Sequence, residues 1–523
     1  MWSATDVGDP FAPLNKFVHS RSGRWLTAVA AVALGGLYST AFAPLSLKVP
    51  GFIGLTAGLV LMAAHRSAWP AFFLGFLFAL GAFVPGLSWT VRSMAEFGRI
   101  PMPVALLGLV ALAALCALFW AVAAAVTAKF CRTFTPRLLG LAGALTVFEW
   151  LRGSGFADFG WLTPALATLD TAFTGFAPLG GGHLVNLMLL LSLAGFAAAL
   201  IGRARRQLLP TFLLALPAVL IMAGIWSGAH TWSEPAGKVN VRLVQANLPV
   251  VDGWTRASAA DRLDVASELM RTPWDAEVKS PRLVLTAEGI ISSDILRLNQ
   301  KGQEALEKFL ESAGGPVLFN GFRRDENRSW LNSSFLVEGA TVAVTDKRKL
   351  VPFGEYVPPG FRWFVDAMGI PLTDLTAGGF EQTALPVAGI RAGILICYEN
   401  LDGEVLRSLW RDPEAAPNLL VVTANLGWFS PSIIPQHLDM TRLLAIASAR
   451  PAASVNMSGR SALIDEKGRR IAQAPVKGAA VLTREISVTA GSPTPFIRFG
   501  DVPALILAVL TLLGCAVYSR KFS

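Results

Sequence analysis

The run AGILICYEN, residues 392–400, decides how this chain is read. Ala392 to Ile396 are apolar apart from one glycine, without the polar alternation of a strand that has one wet face. A short continuous apolar run of this kind reads as a strand buried on both sides, as in the parallel sheets of α/β proteins. It ends on a thiol, Cys397, followed at once by Tyr398 and Glu399. PRLVLTAEG (281–289) has the same form and ends on Glu288, and NLLVVTANLGW (418–428) is a third such run. Strand ends are where α/β folds place reactive groups.

Further strands are expected in VNVRLVQANLPV (239–250), PVLFNGFRRD (316–325), SSFLVEGATVAVTDKRKL (333–350), AASVNMSG (452–459) and SALIDEKGRRIAQAP (461–475). Helices are expected in ASAADRLDVASELMRTP (257–273), NQKGQEALEKFLESAGG (299–315) and PQHLDMTRLLAIASARP (435–451). Strands alternating with helices over residues 238–490 make an α/β domain, large enough to bury a full core.

The rest of the 523-residue chain is different. Overall, 53% of residues are hydrophobic and 15% charged, with a mean hydropathy of +0.50. Soluble domains are nearer a quarter charged. Eight apolar stretches, near 25–45, 50–64, 69–91, 103–128, 137–152, 183–202, 208–229 and 503–519, are candidate membrane spans, which need roughly 17–25 residues each. The chain thus divides into an N-terminal segment (1–24), a seven-span membrane domain (25–237), the α/β domain (238–490) and a last span with its tail (491–523). With eight spans, Lys16, Arg21, Arg24, Arg66, Lys129, Arg132, Arg137, Arg203, Arg205, Arg206, Arg520 and Lys521 all fall on one side. The positive-inside rule makes that side cytoplasmic and puts the α/β domain opposite. Residues 1–24 have no apolar core and do not read as a cleaved signal peptide. Trp89, Trp150 and Trp161 are expected in an interfacial belt, and Glu149 with Arg152 as a structural pair near a span end where charge costs little.

The net charge of +9 is explained by these loops, and no nucleic-acid motif accompanies it. Four cysteines and five scattered histidines form no CxxC or HExxH, so neither a metal nor another cofactor is expected. A transporter is disfavoured because the spans hold few ionisable residues.

Three reactive side chains lie at strand ends or in adjoining turns: Glu288, Lys347 and Cys397. A thiol needs help to become a thiolate, a carboxylate can take its proton, and an ammonium can stabilise an oxyanion. Together they suffice for acyl transfer through a thioester without a histidine. Taken singly, each has an ordinary explanation: a core cysteine, a helix-capping glutamate, a solvated lysine turn.

The segments around them resemble one family. KRKLVPFGEYVP (347–358), CYEN (397–400), VQANLPVVDGW (244–254), FEWLRG (148–153), LNSSFLVE (331–338), NLGWFSPS (425–432) and QHLDMTRLLAIASARP (436–451) are similar to segments of the apolipoprotein N-acyltransferases, a membrane branch of the nitrilase superfamily. The resemblance implies a multi-pass helical bundle with an αββα nitrilase-like sandwich facing the periplasm of a bacterial inner membrane. It implies Glu288 as general base, Lys347 as oxyanion stabiliser and Cys397 as nucleophile. Glu355, Tyr398 and Glu399 are implied as supporting residues, and Trp254 as part of a mobile arm. The implied reaction takes an acyl chain from a phospholipid to the N-terminal amine of a diacylglyceryl-cysteine on an apolipoprotein. Three places depart from the family pattern: Thr286–Ala287 replaces Trp-Pro before the glutamate, Asn425–Ser430 reads NLGWFS, and Phe159-Gly160-Trp161 replaces Phe-Pro-Trp. The reactive trio survives these changes, so catalysis is expected, and they leave open a paralogue with another amine acceptor. A membrane-bound amidase is a further alternative that the spans disfavour, and an inactive scaffold one that the retained trio disfavours.

Overall fold

The computed structural model describes residues 21–154, 158–204, 212–250, 256–275, 277, 279–368 and 374–521. The chain forms two compact units, one of Met1–Ser88, Leu106–Ala229 and Asp501–Ser523, the other of Trp89–Ala105 and His230–Gly500.

The first unit is helical: α1 (Arg21–Ser39), α2 (Lys48–Ala64), α3 (Ala68–Gly86), α4 (Met102–Phe130), α5 (Phe134–Arg152), α6 (Ala177–Ala204), α7 (Ala215–Ala229) and a C-terminal helix, Val502–Lys521. Among the described residues, each of the eight apolar stretches contains one of these helices. Among the described residues, five segments are long and apolar enough to cross a membrane: Ala68–Gly86, Met102–Phe130, Ala172–Arg203, Phe212–Ala229 and Val502–Lys521. The expected count of eight is not reached. Lys48–Ala64 is apolar but shorter, while α1 and α5 carry Arg21 and Arg24, and Arg137, Glu149 and Arg152, which lower their mean hydropathy.

Small residues set the helix spacing, as packing between membrane helices requires. A Cβ on Gly35 would lie 1.9 Å from the Phe78 carbonyl oxygen, and one on Gly81 would lie 2.3 Å from that of Val32, so α1 and α3 touch backbone to backbone. The loop bearing Arg132 and Arg137 meets the end of α2 and the C-terminal helix. Arg137 donates to the Ala63 and Arg132 carbonyls, each at 2.7 Å, and the Arg132 N–H donates to Ser519 Oγ at 3.1 Å.

Two expectations about this chain's aromatic and charged residues need correction. Trp89 and Trp161 are buried rather than set in an outer belt; Trp89 packs edge-on against Phe429 at 5.1 Å and Trp161 stacks on Phe159 at 6.2 Å. The Glu149–Arg152 pair is fully enclosed, not a low-cost pair at a span end. Arg152 Nη2 lies 2.7 Å from Glu149 Oε2, its Nη1 donates to the Phe159 carbonyl at 2.5 Å, and Trp120 Nε1 donates to Glu149 Oε1 at 2.7 Å. The loop after α5 folds back over its end, and the guanidinium satisfies that loop's carbonyl.

The second unit holds twelve strands: β1 (Glu234–Gln245), β2 (Arg282–Thr286), β3 (Val317–Arg324), β4 (Trp330–Glu338), β5 (Thr341–Asp346), β6 (Leu385–Val387), β7 (Ile390–Ile396), β8 (Leu419–Ala424), β9 (Ala452–Asn456), β10 (Ala462–Ile464), β11 (Arg470–Gln473) and β12 (Ala480–Ala490). They form two six-stranded sheets, ordered β12-β1-β2-β3-β4-β5 and β11-β10-β9-β8-β7-β6. The centres are parallel, β1 to β3 and β7 to β9, and the outer strands pair antiparallel. All six residues of β8 are buried, which is why that strand reads as unbroken apolar sequence. The sheets meet through central side chains, for example Thr423 Oγ1 donating to the Thr286 carbonyl at 3.2 Å. Helices α8 (Arg256–Met270), α9 (Gln300–Ala313) and α10 (Ile433–Ser448) complete the unit. The apolar side of α9 shows why it forms: Ala305, Phe309 and Ala313 are buried, Asn299 caps its start by accepting from the Gly302 N–H, and Gly314 ends it in a left-handed conformation.

Candidate active site

Cys397 directly follows β7, Lys347 directly follows β5, and Glu288 lies two residues beyond β2. The three are far apart in sequence, and the paired sheets bring them together. Lys347 Nζ donates to Glu288 Oε1 at 3.2 Å and to Glu355 Oε1 at 2.8 Å, with the lysine only 1% exposed. Glu355 is held by its own turn: its Oε2 accepts from the Val351 N–H at 2.8 Å, and its N–H donates to the Val351 carbonyl at 2.9 Å. Cys397 adopts a left-handed φ of +53°, uncommon for a residue with a Cβ and found mostly at functional turns.

Charge and burial act together here. Burial disfavours the Lys347 ammonium, but Glu288 and Glu355 beside it outweigh that and hold its pKa above the ordinary lysine value. Burial raises the Cys397 thiol well above its usual range; Glu288 raises it further, both by charge and by a side-chain hydrogen bond, and Lys347 only partly opposes this. The resting sulfur is thereby held toward its protonated form beside Glu288. A base that takes the proton as the sulfur attacks fits this state better than a standing thiolate.

Further residues complete the site: Asn332 and Asn425 lie in the LNSSFLVE and NLGWFSPS segments, whereas Asn320 and Arg262 lie in none of the segments that resemble the family. Asn332 Nδ2 donates to Glu288 Oε1 at 2.9 Å and to Glu355 Oε1 at 3.1 Å. Asn320 Nδ2 donates to Asn332 Oδ1 at 2.8 Å, and Asn320 Oδ1 accepts from the Gly289 N–H at 2.6 Å. The other oxygen of Glu288 accepts from the Asn425 N–H at 3.0 Å. Arg262 on α8 donates to the carbonyls of Pro249, Gly289 and Ile290 and so fixes the loop after the glutamate. The available clue was an asparagine inside an apolar strand: Asn320 in β3 and Asn332 in β4 are both buried, and buried amides are kept where they find partners.

Glu399 is wholly buried and ties two strand ends together. Its Oε2 accepts from the Ile396 N–H at 2.7 Å, and its Oε1 accepts from the Arg348 N–H at 2.5 Å and the Lys349 N–H at 3.3 Å. It thereby fixes the backbone before Cys397 to the backbone after Lys347. Burial raises its pKa, opposed by Arg348 and by these N–H groups. Tyr398 is buried with the Lys349 ammonium over its ring at 5.9 Å, and Lys349 pairs with Asp402. Trp254 lies outside the described residues.

Residues 34–195 match the apolipoprotein N-acyltransferase N-terminal domain, and residues 291–495 match the carbon-nitrogen hydrolase family. A Ralstonia nicotianae protein named apolipoprotein N-acyltransferase is 33% identical, over 94% of each chain. The chain belongs to the apolipoprotein N-acyltransferase family. Proteins of the same name from Bordetella bronchiseptica, at 32% identity over 95% of this chain and 98% of that one, and Nitrosomonas europaea, at 32% over 95% and 97%, are similar along their whole lengths.

The departures from the N-acyltransferase pattern occupy defined places. Thr286 is buried between strands, donating through Oγ1 to the Leu318 carbonyl at 3.2 Å. In the NLGWFS run, Asn425 Oδ1 accepts from the Gly427 N–H, Trp428 packs against Phe97 at 4.9 Å, and Phe429 packs against Trp89. The Ser430 N–H donates to the Trp89 carbonyl at 3.3 Å, and Arg92 Nη1 donates to the Phe429 carbonyl at 3.3 Å. Residues 425–430 thus link the main chain beside Glu288 to the segment 89–97.

Proposed function

We propose that this chain is an N-acyltransferase that moves a fatty acyl chain from a membrane phospholipid to the N-terminal amine of a diacylglyceryl-cysteine on apolipoproteins, through a thioester on Cys397. The reading rests on the buried Glu288–Lys347–Glu355 cluster beside Cys397, in a chain whose relatives along its whole length carry this name.

The chemistry follows from the donors and acceptors. Glu288 takes the thiol proton as Sγ attacks the sn-1 ester carbonyl. Of the three Lys347 N–H groups, two are directed at Glu288 and Glu355; the third is left for the oxyanion of the tetrahedral intermediate. Collapse expels the lysophospholipid oxygen, which takes the proton from Glu288 and leaves an acyl-thioester. The acceptor amine then attacks that carbonyl. Glu288 takes the amine proton, the amide forms, and the released thiolate recovers a proton from Glu288. Enclosure of the site protects the thioester from water. Glu355, Tyr398, Glu399 and Trp254 have supporting roles in this scheme. Five apolar helices, with basic residues in the loops between the apolar stretches, favour a multi-pass inner-membrane protein with those loops cytoplasmic and the catalytic domain periplasmic.

The test is complementation of a bacterial strain depleted of its own N-acyltransferase, with lipoprotein N-termini read by mass spectrometry. Wild type should restore N-acylated termini, and Cys397→Ala should neither restore them nor gain an acyl adduct in intact-mass spectra with phospholipid. An acyl-enzyme that yields only free fatty acid would replace the transferase reading with a hydrolase.

A further inference from the structure

We infer that His437 is a positioning residue for the nucleophile, holding the main chain of Cys397 through its carbonyl; the inference deepens the proposed acyl transfer and rests on Cys397 being its nucleophile. His437 stands in the second turn of α10 and is 1% exposed. Its Nε2 lies 3.3 Å from the Cys397 carbonyl oxygen. A carbonyl only accepts, so Nε2 carries the proton and Nδ1 is left bare. That nitrogen is buried without a hydrogen-bond partner. Burial pushes the ring's pKa down to about 4, which keeps this neutral form in place at working pH.

The tie is made twice. Asn400, three residues beyond the nucleophile, returns a bond to α10: its Nδ2 donates to the His437 carbonyl and to Thr441 Oγ1, each at 3.0 Å. Asn400 Oδ1 is also buried without a partner. Two orphaned acceptors are a cost that an apolar pair of the same shape would avoid. What the arrangement supplies is a fixed carbonyl on a residue held at φ +53°, which points the Cys397 side chain toward Glu288 and Lys347. His437 makes no contact with the sulfur in this scheme and transfers no proton. Glu399 holds the N-terminal side of the same turn through the Ile396 N–H, so His437 and Glu399 clamp the cysteine from both sides.

The test compares His437→Gln, which keeps an N–H donor of similar reach, with His437→Leu, which keeps the bulk and loses the donor, and with His437→Asn, whose donor is too short. Single-turnover acylation of Cys397 by phosphatidylethanolamine in detergent micelles is followed by intact mass. Leu and Asn should slow the rate at saturating lipid by about 10- to 100-fold, the range that displacement of a reacting group produces. The lipid concentration for half-saturation should stay unchanged, and Gln should remain within about threefold of wild type. Equal rates for Leu and wild type, a Gln variant as slow as Leu, or a loss seen only in lipid saturation would each overturn the inference. Alkylation of Cys397 by iodoacetamide, followed on its own peptide, should show the same ordering without any lipid, and its absence there overturns the role of His437 alone. Failure of the wild type to take an acyl group while that ordering holds overturns the acyl-transfer reading alone.

Discussion

At the scale of single residues, the chemistry turns on the charge around one sulfur. The Cys397 thiol is raised by burial and by Glu288. Glu288→Gln removes the proposed base but also a negative charge, so the thiol pKa should fall relative to wild type. Acyl-enzyme formation by that variant should be slow at pH 7 and climb with pH until the thiol is ionised, because thiolate then forms without a base. Lys347→Ala should instead be slow at every pH, by on the order of 10²–10³, since loss of an oxyanion donor is not repaired by deprotonation. Stopped-time mass spectrometry between pH 7 and 10 distinguishes the two, and a flat profile for Glu288→Gln would remove the carboxylate from the role of base.

Strands and helices decide whether those residues meet. Asn332 on β4 donates to both carboxylates and, through its carbonyl, accepts from the Lys347 N–H at 2.8 Å. Asn332→Leu leaves Glu288 and Glu355 without that donor and leaves Asn320 Nδ2 only the longer bond to Ser334 Oγ at 3.4 Å. Unsatisfied buried groups cost about 1–3 kcal/mol each, so the variant should lower the thermal midpoint and slow acylation together. Unchanged stability with normal acylation would show the asparagine relay to be dispensable. The strand ends bearing Cys397 and Glu288 were readable because each closes an unbroken apolar run. The roles of Asn320, Asn332 and His437 were not, although Asn332 and His437 lie in segments that resemble the family, because an amide or imidazole in a strand or helix takes on its role only from a partner in another element.

For the molecule as a whole, the helical unit contains a second buried charge cluster far from the sheets in sequence. Removing one partner of a buried ion pair leaves a charge that water cannot reach and typically costs about 3–5 kcal/mol, whereas replacing both is often near neutral. Arg152→Met should therefore reduce thermal stability in detergent strongly, and the Glu149→Gln, Arg152→Met double variant should recover much of the loss. Additive losses would mean that Arg152 acts through its bond to the Phe159 carbonyl rather than through Glu149. The eight apolar stretches were legible by length and composition, but only five meet the requirement for spanning once the helix limits are set. Of the others, Lys48–Ala64 is shorter, and α1 and α5 carry arginines and, in α5, a glutamate.

Local pattern was enough for much of this protein. Continuous apolar runs determined the central strands, the amphipathic pattern pointed to α8 to α10 with capping residues at α9, and the resemblance of the LVPFGE and CYEN segments to known motifs pointed to the family. Tertiary structure decided the rest: the antiparallel flanks of both sheets, the enclosure of Glu149 with Arg152, the asparagine relay, and the clamp on Cys397. The reason is physical. Hydrophobic periodicity records how much of a segment is buried, and it records this locally. Which buried polar atom meets which partner depends on elements dozens to hundreds of residues apart, and that pairing exists only when the chain is folded.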